Sequence, residues 1–112
     1  MLFRSLGFTV SLHLHDTMGL GLANVYAGLL EGVLIFETSV GGMGGCPFTP
    51  GAAGNVATED VVYLCHEMGI KTNIDLGRLC EAAQLAEFII GTELPGRVYR
   101  ARSSLTGLKA TD

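Results

Sequence analysis

Phe8-Thr9-Val10-Ser11-Leu12-His13-Leu14-His15-Asp16-Thr17-Met18-Gly19 is the stretch whose reading decides the fold. Residues 8–14 carry β-branched and aromatic side chains in rough alternation and read as a strand. Gly19 to Glu31 reads as a helix with Leu20, Ala23, Ala27 and Leu30 on one face, ended by Gly32. Val33 to Thr38 is mostly apolar, as expected of a second strand covered on both faces. Strand, helix and strand joined by short links form a right-handed parallel βαβ unit. Two strands cover neither their edges nor both faces, so the chain is expected to belong to a larger α/β structure or to associate.

Residues 39–54 form a long loop rich in glycine and proline. Unstructured loops of that length tend to be functional or disordered. A helix then starts near Asn55 or Thr58 and runs to about Met68, with Val61, Cys65 and Met68 inward and Gly69 as its C-terminal cap. Asp75 caps a last helix, with Leu76, Leu79, Cys80 and Ala83 inward, which ends near Gly91. The tail from Leu94 is polar and is expected to fray. No internal repeat is present.

With 112 residues, 48% of them apolar, the chain can bury one modest core. No apolar run reaches the roughly 20 residues a bilayer span needs, so no membrane partner is expected. A net charge of −4 without a basic cluster argues against nucleic acid. Three cysteines with no Cys-x-x-Cys spacing argue against a disulfide framework and for a reducing compartment. Arg4 and Ser5 precede the first acidic residue, Asp16. Strand-like sequence from about residue 8 leaves too little room for a transit peptide.

His13 and His15, two apart on a strand, project from one face and are close enough to ligate one ion. The bland alternative puts one in a polar core and the other in solvent. Asp16 and Thr17 follow at the carboxyl end of the strand, where catalytic groups gather in parallel α/β folds. Asn55, at the start of a helix, reads first as an N-cap and second as a metal or substrate ligand. Glu59 and Asp60 fall in the first helical turn, where acidic groups favour the helix dipole. Cys46, in Gly41-Gly42-Met43-Gly44-Gly45-Cys46-Pro47, stands on a loop whose glycines leave room for a substrate, so its thiol can move a proton or act as nucleophile. Cys65 and Cys80 read as inert core residues. His66 reads as solvated, and Asn24 as either solvated or a polar contact.

His13-Leu14-His15-Asp16-Thr17-Met18-Gly19, Leu22-Ala23-Asn24, Thr38 through Pro47, Pro50 through Asp60 and Met68 through Thr72 together resemble the 3-hydroxy-3-methylglutaryl-CoA lyases. These belong to the metal-dependent DRE-TIM superfamily. The likeness covers roughly residues 9–100. His-x-His-Asp-Thr with the later Gly-Asn is shared with the isopropylmalate, homocitrate and citramalate synthases. The cysteine loop followed by Gly-Asn-x-Ala-Thr-Glu-Asp is more specific to the lyases.

The resemblance implies a (β/α)8 TIM barrel, of which this chain would be a C-terminal fragment: strands seven and eight with their following helices. One partial domain, of the pyruvate carboxyltransferase and lyase type, would then span residues 1–112, incomplete at its N-terminus. His13, His15 and Asn55 would bind a divalent cation, magnesium or manganese. Cys46 would be the mobile-loop thiol that moves a proton, and Asp16 and Glu59 the acidic residues supporting the site. The implied reaction cleaves an acyl-CoA substrate, 3-hydroxy-3-methylglutaryl-CoA, to acetoacetate and acetyl-CoA, as in leucine degradation and ketone-body formation. The full-length form would be a homo-oligomer in the cytoplasm, or alternatively the mitochondrial matrix. Glu37 and Met43 are mild departures, standing where Asp and Leu are commoner. The family's Arg-Asp pair on the first strand is missing, and a whole barrel needs about 250 residues. The alternatives are a non-catalytic remnant and a related acyl-CoA condensing synthase or aldolase. The isolated chain is expected to be inactive, and its open strand edges to drive association.

Overall fold

The computed structural model describes residues 5–44 and 54–106. Strand β1 (Ser11–His13) and strand β2 (Ile35–Glu37) pair in parallel, with Leu12 opposite Phe36 and His13 opposite Glu37. Helix α1 (Gly21–Leu30) makes the crossover, which gives the expected βαβ unit. Both strands are shorter than 8–14 and 33–38 because only these residues find a ladder partner.

The face that α1 turns to the sheet differs from the expected one. Val25 and Gly28 are buried, whereas Leu20 and Leu30 are 59% and 64% exposed. Gly28 explains the rotation: a methyl group there would lie 2.7 Å from Leu12 Cδ1 and 3.2 Å from the Phe36 ring. The helix backbone therefore descends onto the sheet at the one residue without a side chain. Leu12 and Phe36 point toward α1, while His13, Ile35 and Glu37 occupy the opposite, open face. The second strand is thus covered on one face among the described residues, not on both.

After β2, Val40–Gly42 forms a 3-10 turn at the root of the expected loop. Gly45 to Ala53, including Cys46, lie outside the described residues. The returning chain threads between the carboxyl ends of the two strands. Val56 donates its amide to the Leu14 carbonyl (3.1 Å), Ser39 donates to the Val56 carbonyl (3.1 Å), and Asp16 donates to the Gly54 carbonyl (2.9 Å). Extended backbone here overturns the reading of Asn55 as an N-cap. Asn55 bridges His15, and helix α2 (Thr58–Glu67) starts after Ala57 with no side-chain cap.

Helix α3 (Leu76–Ile90) follows the sequence reading closely. Asp75 accepts from the Arg78 amide at 3.1 Å, Cys80 and Ala83 are buried, and Gly91 closes the helix in the left-handed conformation. The polar tail instead forms helix α4 (Arg97–Thr106). Leu94 and Tyr99 are buried, and the Asp60 carboxylate accepts from the Arg97 and Val98 amides at 2.8–3.2 Å. A cap supplied from 37 residues upstream holds a helix that local pattern alone does not announce. Two apolar clusters result, one of Val25, Val56, Val61 and Cys65 and one of Cys80, Ala83 and Tyr99. No helix of the described residues is long and apolar enough to cross a membrane.

Asp75→Ala removes the cap of α3 and is expected to destabilise the chain by about 1 kcal/mol in urea unfolding followed by circular dichroism.

Candidate functional site

Period-two alternation places the imidazoles of His13 and His15 together on the open face, with Nε2 atoms 3.2 Å apart and ring centroids 5.2 Å apart. The reading of one core and one solvated histidine is therefore excluded. Parallel register adds Glu37, whose carboxylate accepts a hydrogen bond from His13 Nδ1 at 2.9 Å. Both partners are more than half exposed, so the pair adds little stability. Its consequence is orientation. With Nδ1–H donated to Glu37, the Nε2 of a neutral His13 keeps its lone pair, on the side that faces His15 Nε2. Sequence reasoning noted Glu37 only as a departure from family habit. Its register opposite His13 was the signal that could have found it.

Asn55 sits beside His15 through the backbone bridge. Its Nδ2 donates to the Met43 carbonyl at 3.0 Å, and its Oδ1 is buried without a hydrogen-bond partner among the described residues. A buried amide oxygen is costly unless a donor or a cation meets it. The donor set suits a divalent cation. Neighbouring ligands bonded at about 2.0–2.1 Å lie roughly 3 Å apart, close to the separation of the two Nε2 atoms. Among the described residues no group of three or more His, Cys, Asp or Glu side chains could hold a metal.

The acidic candidates are placed differently. Asp16 is half-buried, and its Oδ1 accepts from the Gly21 amide at 2.9 Å, at the positive end of α1. Glu59, in the first turn of α2 as expected, is fully buried: Oε2 accepts from the Gly41 amide at 3.0 Å, while Oε1 has no partner among the described residues. Burial pushes its carboxyl above the ordinary value, more than the Gly41 hydrogen bond lowers it, and the neighbouring Asp60 charge adds to the rise. Cys65 and Cys80 are free and buried, and burial raises both thiols, so they fit the inert role. His66 is exposed and shares a 2.8 Å hydrogen bond with Thr72 Oγ1, and Asn24 is exposed.

Fold and site define a class: an α/β protein with a candidate cation site at the carboxyl ends of parallel strands, where such folds keep their chemistry. Residues 2–86 match the HMGL-like family, and the chain belongs to that family. It is 49% identical over 88 residues to the hydroxymethylglutaryl-CoA lyase YngG of Bacillus subtilis, covering 79% of this chain and 29% of that protein. The crystal structure of the B. subtilis HMG-CoA lyase superposes with a TM-score of 0.83 at 42% identity, over 91% of this chain and 36% of the other. An HMG-CoA lyase from Acinetobacter baumannii in complex with coenzyme A and 3-methylmalate superposes with a TM-score of 0.74 at 45% identity, over 81% of this chain and 30% of that one. The chain thus spans about a third of the length of these relatives. The likeness agrees with a (β/α)8 barrel of which these residues form part.

Because the native Glu59 carboxyl holds its proton to higher pH than the unfolded one, the folded state binds more protons above the ordinary value of 4.5. Its contribution to stability is present below that value and is lost as pH rises through the raised one. Glu59→Gln has nothing to titrate. Urea unfolding from pH 4 to 8 is expected to show the unsubstituted chain losing stability relative to Glu59→Gln as pH rises.

Proposed function

We propose that this chain supplies the carboxyl-terminal part of the active site of a carbon–carbon lyase. That lyase cleaves 3-hydroxy-3-methylglutaryl-CoA to acetoacetate and acetyl-CoA. The observation that carries the proposal is the paired Nε2 atoms of His13 and His15 beside Asn55, whose Oδ1 is buried and has no partner among the described residues. Two nitrogens and one oxygen would hold magnesium or manganese, and the imidazole donors favour manganese of the two. Such a cation supplies a Lewis acid where negative charge builds on oxygen.

The chain's own residues do the rest. Glu37 fixes the ring of His13, so that Nε2 faces the ligand side. Asp16 braces the strand end against the start of α1. In the proposed reaction the tertiary hydroxyl of the substrate loses its proton and the adjacent carbon–carbon bond breaks. Acetoacetate leaves, and the acetyl-CoA enolate takes up one proton, which balances the one lost. Cys46, on the glycine-rich stretch outside the described residues, is the proposed proton carrier. Within the barrel, β1 and β2 would be strands seven and eight, and the open face bearing His13 and Glu37 would line the interior. Free, buried Cys65 and Cys80 suit a reducing compartment, the cytoplasm or the mitochondrial matrix.

Grafting residues 5–106 in place of the matching stretch of the B. subtilis lyase tests the reading. The chimera is expected to release acetoacetate in the presence of Mn2+. His15→Ala in the chimera should lower kcat about 100-fold or more, and Cys46→Ser should lower it by about 10²-fold or more. A folded chimera with no turnover overturns the proposal. The 112-residue chain assayed alone, which contains no Arg-Asp pair, is expected to release no measurable acetoacetate.

A further inference from the structure

Beyond the residues that match the family, which end at 86, a short segment returns to the root of the glycine loop. The Gly41 carbonyl accepts from the Gly96 amide at 3.0 Å, and the Gly41 amide is held by Glu59. There is no room for a side chain on either partner. A methyl group on Gly41 would lie 2.5 Å from Leu94 Cδ1, and Gly41 has a φ of +68°. A methyl group on Gly96 would lie 2.3 Å from Glu59 Oε1. Leu94–Gly96 thus lies as a strap across the turn that launches the loop.

The strap is itself fixed at both ends. The Leu94 amide donates to Glu87 Oε1 at 3.1 Å, and its carbonyl accepts from the Arg100 guanidinium at 2.6 Å. Just downstream, the Arg97 and Val98 amides are bound to Asp60. Glu87 also accepts from the Tyr99 hydroxyl at 2.5 Å, which ties the strap to α4 as well as α3. The loop root is therefore pressed against elements that are anchored to one another.

On its other side the same root holds Asn55. The Met43 carbonyl accepts from Asn55 Nδ2 at 3.0 Å, and the Gly44 carbonyl accepts from the Asn55 amide at 3.0 Å. Donation from Nδ2 to Met43 decides which way round the side-chain amide sits, and so which atom is left as the unpaired Oδ1. An amide free to flip would present nitrogen in place of oxygen half the time, and nitrogen of an amide is no ligand for a hard cation.

We propose that the strap Leu94–Gly96 is a positioning element. Acting through Gly41–Gly44, it sets the orientation of the Asn55 side chain. Glu59 serves it as a positioning residue by holding the Gly41 amide, not as an acid that exchanges protons with substrate. The proposal deepens the reading of Asn55 as a ligand, yet its test needs neither metal nor turnover.

The test is two-dimensional 15N NMR of the 112-residue chain, reading the Asn55 side-chain NH2 signals and the amide hydrogen exchange of Gly41–Gly44. Gly96→Ala drives a methyl group between strap and Glu59, and Leu94→Ala removes the packing on Gly41 while adding nothing. Both are expected to displace or broaden the Asn55 NH2 signals and to speed exchange at Gly41–Gly44 about tenfold, with exchange in β1, β2 and α1 unchanged. Glu59→Gln keeps an acceptor for the Gly41 amide and is expected to leave both readouts as they are. Unchanged Asn55 signals in both strap variants, or exchange speeded equally throughout the chain, would overturn the proposal. Loss of the Asn55 signals in Glu59→Gln would overturn the role given to Glu59. If the grafted chimera fails to cleave substrate while the strap variants move Asn55, the lyase reading falls and the strap stands.

Discussion

Two adjacent carboxylates at the start of α2 hold the two halves of this molecule to each other. Glu59 takes the Gly41 amide on one side, and Asp60 takes the Arg97 and Val98 amides on the other. Backbone amides at a turn and at a helix start are groups that must find acceptors when water is excluded. Placing both acceptors on neighbouring residues of one helical turn brings the loop root, α2 and α4 to a single point. The arrangement is asymmetric in its demands. Asp60 receives the Arg97 and Val98 amides, whereas Glu59 receives that of Gly41 and leaves an oxygen without a partner among the described residues. A bare buried oxygen argues for a constraint other than stability, since a smaller or apolar residue would avoid the desolvation.

The candidate site depends on that point of contact at one remove. Two histidines at period two on β1 need only local geometry to face each other, and Glu37 needs only the parallel register to reach His13. Asn55 needs more. Its backbone must return from the glycine loop and enter between the strand ends, and its side chain must be turned by the Met43 carbonyl. One candidate ligand thus stands on a strand and another on the segment that returns between the strand ends.

Much of this was legible in the residues. Alternation in 8–14, the helical stretch to Glu31 and the apolar run from Val33 marked the βαβ unit, and Asp75 and Gly91 marked both ends of α3. The buried face of α1 was not legible. Counting large apolar residues favoured Leu20 and Leu30, while close approach at Gly28 rotated α1 toward the sheet through a residue with no side chain at all. Asn55 looked like a cap because it precedes a helix, but strand-like pairing with His15 claimed its backbone first. The tail looked fit only to fray because its partner, Asp60, lies 37 residues away.

By itself, then, the sequence determined what depends on neighbours within about four residues. Those features are the order and type of β1, α1, β2, α2 and α3, the shared face of His13 and His15, and the caps supplied within a turn. Periodicity and capping are local physics and are written in local residues. Only the tertiary structure decided what depends on residues distant along the chain. It paired Glu37 with His13, buried Glu59 against Gly41 and turned the Asn55 amide. It also made a helix of the tail by lending it a carboxylate. Each of these is a contact between a polar group and a partner far away in sequence, and no local pattern records which distant partner it will meet once water is excluded.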